Sequence, residues 1–393
     1  MGVNFLSRTA FAVILGATLA TPHTAFAFEP TGNPVADAFL TSLEAGYATK
    51  VSVESVAVAG EEVVMKGISA DYSAKGDKRV FSIGSASLSD AALQADGSIT
   101  SSSMALTNLS FLLDGDMVKV DVGAFKGLRI PSPEEIKNPS KAIEKPPFYR
   151  EMEFTGITMS AEDEADVPIE RFASTLNPIG DDGSIKASLD VEGILIDPNS
   201  VEDKDFAKQM AEMGYDSLNL SIKGAGMWSA ADGKAALEDF EISGKDMGAL
   251  HISTTLLGLT PEVLAQFQEA ESDFGKLTGL LQMISIVDLN IHFRNDTMVD
   301  RILDMQAKEA GTDRAGLVDQ LSGAMPNILA LLQNPGLQEK IQNAAVAFLN
   351  QPGTFTVSAN PAQPVPFGQI VGVAMIAPQT IPDMLAVEIQ ANQ

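Results

Sequence analysis

Few residues in this chain are of the types that do chemistry. Its 393 residues include 3 histidines and no cysteine, which removes thiol catalysis, disulfide staples and cysteine-bound zinc together. His251, in "ALHIST", and His292, in "LNIHFRN", both sit in strand-like runs. A lone histidine in such a run reads as structural before it reads as a base. No Gly-x-Ser-x-Gly elbow, Ser-x-x-Lys pair, Gly-x-x-x-x-Gly-Lys loop or dinucleotide fingerprint occurs. Acids are plentiful, and "AEDEAD" (Ala161 to Asp166) is their densest group. Its spacing matches no calcium loop, and an acidic run beside a strand reads as a solvated turn. No catalytic residue, no metal ligand and no cofactor is assigned. A carboxylate-based hydrolase stays open as the second alternative, because paired acids are assembled by the fold and leave no local spacing.

What the chain repeats is apolar. "MKGISA" (Met65 to Ala70), "FKGLRI" (Phe125 to Ile130), "FTGITM" (Phe154 to Met159) and "VEGILI" (Val191 to Ile196) share one hexad: apolar, any, glycine, aliphatic, any, apolar. With Asn or Asp in the glycine place, "LTNLSF" (Leu106 to Phe111), "LEDFEI" (Leu237 to Ile242) and "IVDLNI" (Ile286 to Ile291) join them. An eighth match, "MPNILA" from Met325, falls in a helical stretch and is set aside. Strand alternation would put Ile157 and Met159, or Ile194 and Ile196, on one face, with Thr155 and Glu192 on that face too. The glycine marks a bulge, a strand entry or a close backbone approach. Each copy is therefore expected to be one rung of an antiparallel meander. Turns such as "ADG" at Ala95 and "AADG" at Ala231 separate the rungs, and Tyr215 to Leu259 reads as a set of hairpins.

The elements around these rungs are also legible. A short helix is expected near Val35 to Tyr47. After Leu259 the period changes: Thr260, Pro261 and Glu262 open a helix, Met298, Ile302 and Met305 fall on one helical stripe, and an Asn-Pro cap opens the run that stops at Pro352-Gly353. Strands are expected to return with "TFTVSA", "FGQIVGVAMIA" and "MLAVEIQA". The fold class is then α+β, a long curved antiparallel meander packed against C-terminal helices and ending in strands.

The first residues carry Arg8, an apolar run from Phe11 to Ala20 and the triplet Ala25-Phe26-Ala27, the layout of a cleaved secretory signal. The run is about half the ~20 residues a spanning helix needs. The domains expected are a signal peptide over 1–27, a β-rich region over 28–130, a proline-rich crossing over 131–150, and a meander with helices and terminal strands over 151–393. The formal charge of −26 opposes nucleic acid and anionic surfaces, and no segment after the signal is long and apolar enough to span, so neither nucleic acid nor a membrane span is expected. The single tryptophan and 4 tyrosines are too few for the aromatic girdles of a membrane barrel.

From "NDTMVDRILDMQAKEAG" through "AFLNQPGTFTVSANPAQPVPFGQIVG" to "MLAVEIQAN" the chain resembles the C-terminal half of a group of uncharacterised exported proteins of alphaproteobacteria. Its strand-rich, glycine-punctuated style is similar to that of AsmA and YdgA type envelope proteins, and that resemblance implies sheets that curl around lipid. The expectation is a periplasmic, non-enzymatic envelope protein that binds or passes on a lipid or other apolar ligand. Ile68, Ile157, Met159, Ile194 and Ile196 are its ligand-facing candidates. The first alternative is an assembly partner that pairs another envelope protein along a sheet edge.

Overall fold

The structure is a computed structural model that describes residues 28–46, 48–74, 77–113, 116–137, 148–160, 165–179, 183–201, 203–270 and 274–393. The expected signal segment, the middle of the proline-rich crossing and the start of the acidic run at Ala161 lie outside the described residues. The chain is α+β, with 17 strands among the described residues, antiparallel pairing, and most helices after Thr260. It divides into two compact units. The first holds the residues up to Pro178 with Leu189–Ala207, and the second holds Ile179–Ser188 with Lys208–Gln393.

The first unit opens with α1 (Pro34–Ala45), where the sequence places a helix. The Asn33 side chain accepts hydrogen bonds from the Val35 and Ala36 amides, both 3.0 Å, and Pro34 occupies the first turn. The helix buries Ala36, Phe39 and Leu40 and packs on β1 (Ala48–Ser52), β3 (Glu62–Ala74) and β6 (Ile99–Leu113). β2 (Ser55–Ala59) and β1 both pair with β3. The meander then runs through β4 (Asp77–Ser89), β6, β7 (Asp116–Ile130), β8 (Glu151–Ser160), β9 (Val167–Pro178) and β10 (Ile185–Ile196), with β5 (Ala92–Leu93) a short addition beside β6. After β7, α2 (Pro133–Lys137) is held by a reciprocal cap: Glu135 Oε2 accepts from the Ser132 amide at 2.8 Å, and the Glu135 amide donates to Ser132 Oγ at 3.4 Å.

All seven hexads lie in strands, and in this unit they share one backbone feature. Gly67, Asn108, Gly127, Gly156 and Gly193, the third residue of each of the five copies here, all have positive φ, between 53° and 68°. A single left-handed residue advances the pleat by one, so the buried positions become i and i+3 rather than i and i+2. The buried pairs are Met65 and Ile68, Leu106 and Leu109, Phe125 and Leu128, Phe154 and Ile157, and Val191 and Ile194. This corrects the face expected for Thr155 and Glu192. The buried positions belong to Phe154 and Val191, and Glu192 lies 3.8 Å from Arg171 in a charged cluster.

The slip is shared across strands. Register is unbroken through it in β3–β4, β4–β6, β6–β7, β7–β8 and β8–β9. Two buried ladders flank it. One runs Met65, Ala86, Leu106, Gly123, Phe154, Phe172; the other runs Ile68, Ile83, Leu109, Val120, Ile157, Ile169. Gly123 leaves room for the Phe154 ring, whose edge would stand 2.7 Å from a Cβ there.

After α3 (Lys204–Glu212), the second unit forms the hairpin set read from Tyr215 to Leu259: β11 (Leu218–Ser229), β12 (Lys234–Gly244) and β13 (Gly248–Leu257) pair in order. α4 (Pro261–Ala270) starts at its Thr260 cap, α5 (Phe274–Leu281) follows, and β14 (Ser285–Asn295) pairs with β13. The two hexads of this unit sit at true register shifts, near Glu238 and between Asp288 and Ile286.

Helices α6 (Met298–Glu309), α7 (Arg314–Leu329) and α8 (Pro335–Asn350) come next. The buried stripe of α6 is Leu303 and Ala307, packed with Leu317, Val299 and Leu349. The Met298, Ile302 and Met305 stripe is only half-buried, because it lies one residue around the helix from the face that meets α7. β15 (Thr354–Ala359) adds to β14 and β17 (Val387–Ala391) adds to β15, with α8 packed on both. One expected strand is absent. "FGQIVGVAMIA" follows the short β16 (Val365–Pro366) as a helix, α9 (Phe367–Ile376), and α10 (Ile381–Met384) precedes β17. A short apolar run carries no period to separate strand from helix, and Pro366, with φ −62° and ψ 137°, is the N-cap residue that turns the chain into a helix here.

Candidate functional site

Strands of the second unit present an apolar face that is not closed over. Trp228, Ala235 and Leu256 stand opposite one another on β11, β12 and β13, and Gly226, Leu237 and Thr254 form the next rung. With Ile185 and Ala187, from the start of β10 that belongs to the second unit, they line an open pocket of 400 Å³, within the range of small-ligand sites. Every one of these side chains is half-buried rather than buried.

Local structure explains the shape. Gly226 is pressed against the Ala236 carbonyl, where a Cβ would stand 2.6 Å from the oxygen, so a larger residue there would push the strands apart. The Trp228 indole donates from Nε1 to the Leu259 carbonyl at 2.7 Å, which fixes the ring and satisfies its one polar atom. The Thr254 hydroxyl donates to the Asp288 carbonyl at 2.8 Å. These two groups are engaged, and among the described residues of the lining none is titratable, so the pocket offers a mainly apolar surface.

The residues expected from sequence to face a ligand lie in the first unit. Ile68, Ile157 and Ile194 are 1%, 8% and 7% exposed, and the first two stand in one ladder. Gly193 faces Glu170 on β9, which brings Ile194 to the same level. Met159 and Ile196 are half-buried. Sequence reasoning missed the group around Trp228. The signal available was the alternation of Trp228, Leu237 and Leu256 in three consecutive hairpin strands, centred on the only tryptophan.

The chemistry-bearing residues are placed as follows. His251 and His292 are direct cross-strand neighbours, ring centroids 6.0 Å apart. His251 Nε2 lies 3.2 Å from Glu241 Oε2, and His292 Nδ1 lies 2.8 Å from Thr356 Oγ1. Among the described residues no group of three or more histidines and acids is arranged to hold a metal ion. In the first unit Arg171 bonds Glu153 at 3.1 Å and Asp190 at 3.3 Å. Hydrogen bonding to Glu153 above all, and then the charges of Asp190 and Glu192, hold its guanidinium above the ordinary range. These acids are committed to a cation.

A second pocket, of 420 Å³, lies in the first unit beside Asp90, Ser102, Gly127 and Arg150. Next to it Arg129 bonds both oxygens of Glu135, at 2.6 and 2.7 Å, with 12% and 4% of the two side chains exposed. The pair anchors α2 to β7.

No curated protein matches this chain. A family model described as "Uncharacterized protein" matches residues 241–392, from the end of β12 to just past β17, so the C-terminal part of the second unit is similar to that family.

Proposed function

We propose that this chain is an exported, non-enzymatic envelope protein that binds a lipid or another apolar molecule on the open sheet face at Trp228. The observation that carries the reading is that pocket's lining: mainly apolar, half-exposed and held in shape by the hydrogen bonds of Trp228 and Thr254. Burying an apolar side chain stabilises by about 1.5–3 kcal/mol, so a face of this kind gains by being covered. The likeness in texture to AsmA and YdgA type proteins supports a lipid as the ligand, and the secretory layout of the first 27 residues supports the periplasm as the place. The buried level of Ile68, Ile157 and Ile194, with half-buried Met159 and Ile196 two residues farther along their strands, is the alternative seat for the ligand.

Native mass spectrometry of the protein purified from periplasm tests the reading. Bound lipid is expected on the wild type and absent from Leu237→Asp. Lipid retained by Leu237→Asp but lost from Met159→Asp moves the site to the first unit, and a co-purifying protein in place of lipid favours the sheet-edge alternative.

A further inference from the structure

The helix that replaces an expected strand has an environment at odds with its composition. α9 reads FGQIVGVAMI, with Gln369 its only polar side chain. A helix apolar on all sides belongs in a core or in a membrane, yet no residue of α9 is buried. Val371, Met375 and Ile376 are 45%, 83% and 87% exposed. Ala374, Met375 and Ile376 are consecutive and all exposed, and at about 100° per residue they open roughly 200° of the helix circumference.

A second segment joins it. At the end of α7 and in the single turn that follows, Ile328 is 65% and Leu331 82% exposed. Asn334 ties the two segments together, its Nδ2 donating to the Gln379 carbonyl at 2.9 Å, three residues beyond each of Leu331 and Ile376. At the other end of α9, Gly368 packs on Gln282 beside Met283, which is 55% exposed.

Charge singles out the same region. From Gln320 to Pro382 the only charged residues are Glu339 and Lys340, in a chain of net charge −26. Lys340 is engaged at 2.7 Å by Glu388 and at 2.9 Å by the Val387 carbonyl.

We infer that the second unit docks on a neutral lipid surface through α9 and the end of α7. A protein groove covers one stripe of a helix, whereas an apolar medium accepts a helix open over this much of its circumference. Neither α9 nor the stretch from Ile328 to Leu332 carries a charged residue, so both enter the interface without desolvating an ion, while the acidic remainder stays in water and is repelled by anionic headgroups. At 10 residues, α9 is half the ~20 needed to cross a bilayer, so it lies in the interface. This docking does not depend on a ligand at Trp228.

The experiment is flotation of the purified full chain with vesicles of phosphatidylcholine, and with vesicles of phosphatidylcholine mixed with phosphatidylglycerol. The wild type is expected to float with the first and less with the second. Met375→Glu/Ile376→Glu, and separately Leu331→Glu, should lower the floated fraction more than about tenfold with unchanged thermal melting and unchanged ligand retention at Trp228. A wild type that stays at the bottom of the gradient, or variants that float as it does, overturns the inference. So does a wild-type dimer in light scattering that these variants turn into monomers, which would make the patch a contact with a second copy.

Discussion

A methyl group on Gly156 would collide with the carboxylate of Asp121 on the neighbouring strand. Gly156 also has φ +64°, a conformation that costs a side chain about 1–2 kcal/mol before any collision. Gly156→Ala is therefore expected to destabilise the first unit by about 2–4 kcal/mol, while Asn108→Gly, at the equivalent place in β6, stays within about 0.5 kcal/mol. Urea unfolding of both variants checks the pair, and equal losses would refute the shared pleat slip.

The buried Arg129–Glu135 pair makes a second prediction. Removing one partner leaves a desolvated charge, so Glu135→Ala should cost about 3–5 kcal/mol. Truncating both residues should cost less than the single change, which a double-mutant cycle in denaturant measures.

Paired charge insertions separate open face from core. Ile157→Asp places an unpaired carboxylate in a buried ladder and should cost several kcal/mol, a large share of the ~5–15 kcal/mol by which a domain is stable. Leu237→Asp, at a half-exposed position, should keep the fold by circular dichroism and lose the apolar ligand. If both variants unfold, the face at Trp228 is sealed in solution.

Two titrations should be visible. Burial raises the pKa of Asp300, but hydrogen bonds from Arg314 and Asn295 and the guanidinium's charge outweigh it and hold the carboxyl below its ordinary value. A depressed carboxylate stabilises the fold above the unfolded pKa, and that contribution is lost as pH falls through the folded value. Acid melting curves of Asp300→Asn should therefore be flatter than wild type below about pH 4.

Burial pushes the Tyr72 hydroxyl up to about 12. Between the ordinary tyrosine value, near 10, and that raised value the folded state holds a proton the unfolded state has lost, so stability falls as pH rises through this window. Ultraviolet titration should show one tyrosine ionising late, together with unfolding, and Tyr72→Phe should abolish that step.

Most strands, most helices and the α+β class were legible in the sequence because they follow from local periods and caps: the Asn334 cap, the Thr260-Pro261 start and the hexad itself all act within a few residues. The hexad even carried its own geometry, since apolar residues at i and i+3 around a glycine, as in Phe154 and Ile157, are what a left-handed residue produces in a strand. Tertiary structure decided everything that depends on what lies opposite. Ile157 and Leu237 have the same chemical character, and only the packing of their units buries one and leaves the other open. "FGQIVGVAMIA" has no period to choose between strand and helix, so its place after β16 settled it. Its exposure could not be read from composition either, because burial belongs to a residue's neighbours in space, and an apolar segment declares that it needs cover without saying whether the chain or something else provides it.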